Sequence, residues 1–249
     1  MTAWLEGSVV DQTRWTDRLL SLKVQAPAFE FEAGQFARLA LEVDGERIAR
    51  PYSFVNPPGA APFEFYYAVV PEGPLSPRLA VLGGGDKVFI APNPAGFLVL
   101  SEVPDAACLW LLATGTGIGP FLSILRTATP WQRFERVVLV QAARHPAELV
   151  YGEVVAQIAQ THATQFKFVQ VTSAEPPPRP PVLHGRIPAL IRAGSLEARA
   201  GAELSVATSQ VMLCGNPGMV KEATATLVER GMKKHRRRSP GQITAENYW

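Results

Sequence analysis

Leu109-Trp110-Leu111-Leu112-Ala113-Thr114-Gly115-Thr116-Gly117-Ile118-Gly119-Pro120 reads as a buried strand, a glycine turn and the start of a helix. An unbroken apolar run suits a strand covered on both faces, as in parallel sheets. Where such a strand turns sharply into a helix, free backbone amides and glycines accommodate a dinucleotide pyrophosphate. The spacing is not G-x-G-x-x-G, because position 120 is proline, so the usual fingerprint is absent.

Working outward, the apolar runs Ala107–Ala113, Val137–Ala142, Phe166–Val171 and Gln210–Leu213 alternate with helical stretches at Gly119–Thr127, Leu149–Gln160, Ile187–Ile191 and Met219–Gly231. This alternation predicts a parallel sheet with helices on both faces. Upstream the pattern differs. Short strands are expected at Leu5–Val10, Leu19–Val24, Gln35–Leu41, Ile48–Val55, Phe63–Val69 and Lys87–Ile90, with one short helix at Ser76–Leu82. Their spacing suits a small antiparallel barrel or sandwich. Ser101–Ala106 is the expected linker, and the proline-rich Glu175–Pro181 an exposed loop or a ligand for a partner.

Bulk properties narrow the function classes. With 47% hydrophobic and 18% charged residues the chain is a globular, not a disordered, protein. A net charge of +2 argues against a general nucleic-acid binder. No apolar run reaches the roughly 18–20 residues of a membrane helix, and Met1–Glu6 lacks a leader pattern, so a cytoplasmic location is the default expectation. Cys108 and Cys214 alone supply neither a disulfide scaffold nor the four thiolates of an iron–sulfur cluster, and no metal site is expected.

Arg50-Pro51-Tyr52-Ser53 gathers a cation, a ring and a hydroxyl near the end of a strand. Alternation sets Arg50 and Tyr52 on one face and Ser53 on the other. A flat phosphorylated ring system calls for such a set: a guanidinium for phosphate, a ring to stack on and a hydroxyl for an edge atom. Before the short helix, the amides of Leu75 and Ser76 and the Ser76 hydroxyl offer donors to a pyrophosphate, whereas Pro74 has none; an ordinary N-cap serine is the alternative. After the second parallel strand, Arg144 stands where an NAD site carries Asp or Glu, and a cation there suits a 2′-phosphate. One Arg–phosphate bond is worth about 1.5–3 kcal/mol, roughly ten- to a hundredfold in affinity. Cys214 heads Cys214-Gly215-Asn216-Pro217 at another strand end; without a histidine beside it in the sequence, it reads as a site-lining or simply buried residue rather than a nucleophile.

Arg50-x-Tyr52-Ser53, the 114–120 turn, Cys214–Pro217 and the ending Glu246-x-Tyr248-Trp249 occur in one order across nearly the whole chain. Together they resemble the bacterial branch of the ferredoxin–NADP(H) reductase family. The resemblance implies an antiparallel β-barrel FAD domain over residues 1–100 and an α/β NADP(H) domain over 101–249 whose tail returns to the flavin. It implies that Arg50, Pro51, Tyr52, Ser53, Tyr66, Leu75, Ser76 and Thr116 contact FAD, and that Gly115, Gly117, Arg144 and Arg186 hold NADP(H). Cys214 would lie beside the nicotinamide. Ser53, Cys214 and Glu246 would be the catalytic groups, with Trp249, or Tyr248, on the FAD adenine. Ala174 departs from a basic position in close relatives, which implies a weaker coenzyme preference.

The same resemblance implies ferredoxin or flavodoxin as the electron carrier of a monomeric enzyme, with no nucleic-acid or membrane partner. The run Lys233-Lys234-His235-Arg236-Arg237-Arg238 would steer that acidic carrier or form a solvated helix end. Rival readings are an NAD(P)H flavin reductase or oxygenase-component reductase on the same scaffold, and a non-catalytic flavin redox sensor.

Overall fold

Short strands punctuated by turns have few local contacts of their own and must pair to satisfy their backbones, and in the first half of the chain they do so antiparallel throughout. The computed structural model describes residues 4–176 and 182–247. Its first sheet comprises β1 (Leu5–Arg14), β2 (Leu19–Gln25), β3 (Phe36–Val43), β4 (Glu46–Ser53), β5 (Phe63–Ala68) and, after the helix α1 (Ser76–Leu79), β6 (Lys87–Ile90), in the order β4-β3-β6-β1-β2-β5. The two edges meet. Val55 N–H, just past β4, donates to Glu64 O in β5 at 2.8 Å, and Phe54 bridges Phe65, closing the sheet into a barrel. Phe54 is fully buried inside and stacks on Phe31 at 3.9 Å.

Uniformly apolar strands need cover on both faces, and the second half supplies it. The strands are β7 (Cys108–Thr114), β8 (Arg136–Ala143), β9 (Phe166–Thr172), β10 (Leu183–His184), β11 (Ser209–Gly215) and β12 (Ile243–Asn247). They form a parallel sheet in the order β10-β9-β8-β7-β11-β12. Side chains alternate between its faces. Leu109, Leu111, Ala113 and Cys214 pack with α2 (Ile118–Leu125) and α4 (Gly152–Thr161). Trp110, Leu112, Val211 and Leu213 pack with α5 (Ile187–Arg192), α6 (Ser195–Ala200) and α7 (Pro217–Glu229). The chain leaves β7 toward β8 on one side and returns as β11 on the other, so the strand order reverses between β7 and β11. Open α/β sheets bind ligands in the crevice at such a reversal.

The barrel packs on the α2 face of this sheet: Leu19, Val55 and Tyr66 join the same buried cluster as Ile118, Phe121 and Cys214. Polar bonds fix the register of the seam. Ser123 Oγ donates to Asn56 O at 2.8 Å. The Tyr151 hydroxyl lies 2.5 Å from Ser21 Oγ and donates to Glu64 Oε1 at 2.9 Å, while Trp15 Nε1 donates to the same Ser21 Oγ at 2.6 Å. The Tyr151 ring contacts Trp15 and Tyr66, with centroids 5.2 and 5.3 Å away.

Several elements depart from expectation. The helix expected from Leu149 begins only at Gly152, because a 3₁₀ turn at Pro146–Glu148, the Gln141 amide on Val150 O and a left-handed Tyr151 (φ 64°) occupy the residues before it. The short barrel helix stops at Leu79, ahead of the Gly83–Asp86 turn. α3 (Thr129–Arg133) and α6 were not anticipated. The basic run is no helix end: α7 stops at Glu229, and Arg236 and Ser239 pair in a tight turn beyond it. The segment Ile243–Asn247, which overlaps the ending from Thr244 expected to dock as a tail, is a full strand beside β11. Of the proline-rich loop, residues 177–181 lie outside the described residues.

Tyr151→Phe keeps the ring but deprives Glu64 and Ser21 of a partner at the seam. It should lower stability by about 1–3 kcal/mol, read as a lower urea midpoint at unchanged slope in equilibrium denaturation.

Candidate active site

The reversal point is tight because two strand ends nearly touch. A Cβ on Gly117 would sit 2.5 Å from Cys214 O and 2.8 Å from Gly215 Cα, and one on Gly215 (φ +126°) would overlap Thr114. Thr114 Oγ1 accepts the Asn216 N–H at 2.9 Å. Asn216 Oδ1 in turn caps α7, accepting from Gly218 and Met219 N–H at 2.9 and 3.2 Å, with Pro217 preset for the first helical turn. Gly115 adopts φ +54°, with nothing within 4 Å of where its Cβ would be.

Beside this turn opens a cleft of about 400 Å³, with Leu19, Gly115, Thr116, Arg144, Arg186 and Asn216 among its walls. Glu148 Oε2 accepts the N–H groups of Arg144 and His145, and Arg144 O accepts from Ala174, so the Arg144 backbone is pinned while its side chain is exposed. The Arg144 guanidinium has no carboxylate within ion-pair distance among the described residues. Arg186 differs: it lies 3.1 Å from Glu222 Oε2. Thr172 Oγ1, fully buried at the end of β9, has no hydrogen-bond partner among the described residues.

On the barrel side, Arg50 is exposed, donates only to its neighbour Ala49 O at 2.7 Å and is in no ion pair among the described residues. Pro51 is exposed opposite Arg38. Tyr52 meets Tyr67 edge-on at 5.8 Å, and burial raises its hydroxyl pKa. Ser53 is buried opposite Phe36. Tyr66 is buried with its hydroxyl unpartnered among the described residues, and burial raises its pKa too. Leu75 is buried in the barrel core, and Ser76 Oγ accepts the Val70 N–H at 2.9 Å while keeping its own proton to donate.

Cys214 and Glu246 are register partners on β11 and β12, so both side chains share a sheet face, the one against the barrel. Cys214 is fully buried. The Glu246 carboxylate accepts backbone N–H groups of Phe97 and Leu98, yet burial still raises its pKa. Gly96 (φ +112°) allows this approach, since a Cβ there would be 3.2 Å from both Glu246 Oε2 and the Phe36 ring. Phe36 thus links the Ser53 and Glu246 neighbourhoods. Tyr248 and Trp249 lie outside the described residues. Beside the tail, Arg237 binds Glu102 through Nε and Nη2 at 2.5–3.1 Å and lies over the Phe97 ring at 4.8 Å. This pairing holds the Glu102 carboxyl below its usual range. No grouping of His, Cys, Asp or Glu among the described residues has the makings of a metal site, and no helix among them is long and apolar enough to cross a membrane.

The residue reading missed Thr114, Tyr151 and Glu222. Their placement depends on partners 87 or more positions away (Thr114 with Asn216, Tyr151 with Ser21 and Glu64) or on a side chain across two helices (Glu222 with Arg186). Only Thr114, as the first residue of the turn motif, left a local signal.

Residues 111–225 match the family profile described as an oxidoreductase NAD-binding domain. The chain is 49% identical to a flavodoxin/ferredoxin–NADP reductase of Shigella flexneri and 48% identical to that of Escherichia coli (strain K12), over 250 residues and 100% of both chains in each case. A ferredoxin NADP+ reductase from Neisseria gonorrhoeae, solved with bound FAD and NADP, superposes at a TM-score of 0.93 with 35% identity, covering 99% of each chain.

A carboxyl whose folded pKa is raised favours folding below its unfolded pKa and loses that contribution as pH climbs through the folded value. Removing Glu246 should therefore help more at higher pH. In urea denaturation, the stability of Glu246→Gln relative to wild type should improve between about pH 4.5 and pH 7.5; a difference that does not move with pH contradicts the raised carboxyl.

Proposed function

The chain belongs to the flavodoxin/ferredoxin–NADP reductase family, and from that membership we infer an FAD-dependent oxidoreductase working between NADP(H) and ferredoxin or flavodoxin. The observation that carries this reading furthest is the meeting of three elements at one seam. The reversal point between β7 and β11 opens beside Cys214, which shares a buried cluster with Tyr66 and Val55 of the barrel. A reaction between two bound ring systems needs such a shared wall, because reacting atoms must be held at contact distance and correct angle.

The residues suit both groups. On the barrel, Arg50, in no ion pair among the described residues, meets a flavin phosphate, Tyr52 and Tyr66, whose hydroxyl has no partner among the described residues, meet the ring system and its side chain, and Pro51 and Ser53 complete the strand. Leu75 and Ser76 serve the pyrophosphate through their amides and the Ser76 hydroxyl, and Thr116 reaches the same region from the sheet. In the cleft, Gly115 leaves room for the coenzyme pyrophosphate and Gly117 lets the turn close against β11, while Arg144, which has no carboxylate partner among the described residues, and Arg186 face a 2′-phosphate. When bound, FAD supplies the exchange between hydride, handled by NADP(H), and single electrons, handled by the carrier. Cys214 orients the nicotinamide against the barrel. Ser53 contributes a hydroxyl and Glu246 a carboxyl, and burial raises the Glu246 carboxyl so that it exchanges its proton at a higher pH than an ordinary carboxylate. By resemblance to the family, Trp249, or Tyr248, serves as the aromatic partner of the FAD adenine. Residues 1–100 serve as the FAD domain and 101–249 as the NADP(H) domain of a monomer.

Anaerobic stopped-flow mixing with NADPH and NADH tests the coenzyme reading. Flavin bleaching should be faster with NADPH, and Arg144→Ala should cut the NADPH:NADH ratio by about ten- to a hundredfold. Yellow protein that neither coenzyme bleaches would overturn the reading in favour of a sensor.

The exposed members of the basic run suit an acidic carrier. Reversing Lys234, Arg236 and Arg238 to Glu should slow electron delivery to flavodoxin and flatten its salt dependence, with the rate of flavin bleaching by NADPH unchanged. Arg237 is left out of the set because it is tied to Glu102.

A further inference from the structure

Glu222 belongs to none of the motifs that mark the coenzyme cleft, yet it holds one of the cleft's two arginines. It sits on α7, where its carboxylate is divided between both ends of α5. Oε2 lies 3.1 Å from Arg186 Nη2, at the N-cap of α5, and Oε1 lies 3.4 Å from Arg192 Nη1, the last residue of α5. Arg144, the other cleft arginine, has no carboxylate partner among the described residues, so the two cations offered to a coenzyme are unequal.

We propose that Glu222 is a positioning residue that sets how strongly this protein selects a 2′-phosphorylated coenzyme, by competing with the phosphate for Arg186. The proposal rests on the reading of Arg186 as a 2′-phosphate contact given above. A guanidinium presents its donors in a fixed fork, and a carboxylate and a phosphate match the same fork. While Nη2 is directed at Glu222, that edge is unavailable to a phosphate. The arrangement is a restraint and not a lock. Arg186 and Glu222 are 64% and 36% exposed, and an exposed pair is worth only about 0–1 kcal/mol. Arg192 draws on the same carboxylate from the other side and weakens the hold further. On the third side of the cleft Ser173 contributes a hydroxyl but no charge, so it adds no cation to offset the occupied one.

Binding of two ligands that differ only in the 2′-phosphate, 2′,5′-ADP and 5′-AMP, to the FAD-loaded enzyme tests this by calorimetry. Glu222→Gln should raise the affinity ratio of 2′,5′-ADP to 5′-AMP by about two- to fivefold, with 5′-AMP binding itself unchanged. Arg186→Gln should lower the ratio. In the Arg186→Gln background, Glu222→Gln should have no effect. A ratio that stays level or falls in Glu222→Gln overturns the proposal. So does an equal rise in the Arg186→Gln background, which would assign the effect to the general field of the carboxylate. A ratio untouched by Arg186→Gln alone would remove Arg186 from the phosphate site, and the proposal with it, while leaving the flavin and Arg144 parts of the functional reading standing.

Discussion

The close approach of β7 and β11 at their carboxyl ends is the constraint on which the other features rest. Gly117 stands against the Cys214 carbonyl and Gly215 against Thr114, leaving no space for a side chain on either. The approach brings Thr114 Oγ1 within reach of the Asn216 N–H, which sets the residue that caps α7. It also opens the crevice at the reversal of strand order, because α2 and α7 depart from adjacent strand ends on opposite faces of the sheet. A larger residue at either glycine would separate the strands, uncap a thirteen-residue helix and reshape the cleft wall together.

The seam between the two sheets draws on different forces at its two ends. Near Tyr151 it is a largely buried aromatic and hydroxyl cluster, where a short chain of hydrogen bonds joins Trp15, Ser21, Tyr151 and Glu64. Near the last strand it is polar and partly open, with Glu246 on the amides of Phe97 and Leu98 and Arg237 on Glu102. Buried hydrogen bonds of the first kind resist separation because unpaired partners are costly away from water. Exposed ion pairs of the second kind are weak and screened by salt. The barrel is therefore anchored firmly beside α4 and more lightly beside the tail.

Local chemistry made much of this legible. Leu109–Pro120 carries its strand, turn and helix in unbroken order, and the alternation of apolar runs with amphipathic stretches is enough to specify a parallel sheet covered on both faces. Arg50–Ser53 was readable because period-two alternation assigns faces without knowledge of the partner strand. What escaped depended on distant partners. β12 is a short mixed segment, Ile243-Thr244-Ala245-Glu246-Asn247, whose strand character comes from lying in register along β11 and not from its own pattern. Tyr151 looked like the interior of a helix because its left-handed backbone is imposed by bonds to the barrel. The basic run looked helical by proximity to α7, whereas Gly231 (φ +89°) has already turned the chain away.

The shared cluster of Leu19, Val55 and Tyr66 with Ile118, Phe121 and Cys214 means that the two halves, though contiguous in sequence and different in architecture, are not interchangeable modules. A chimera that joined this barrel to another coenzyme half would have to carry across both sides of that cluster together with Ser21, Glu64 and the residue matching Tyr151. Recombination within Ser101–Ala106, where the two sheets meet along the chain, divides these partners between parents. Successful hybrids would thus be drawn from parents already alike at the seam, however far they have diverged elsewhere.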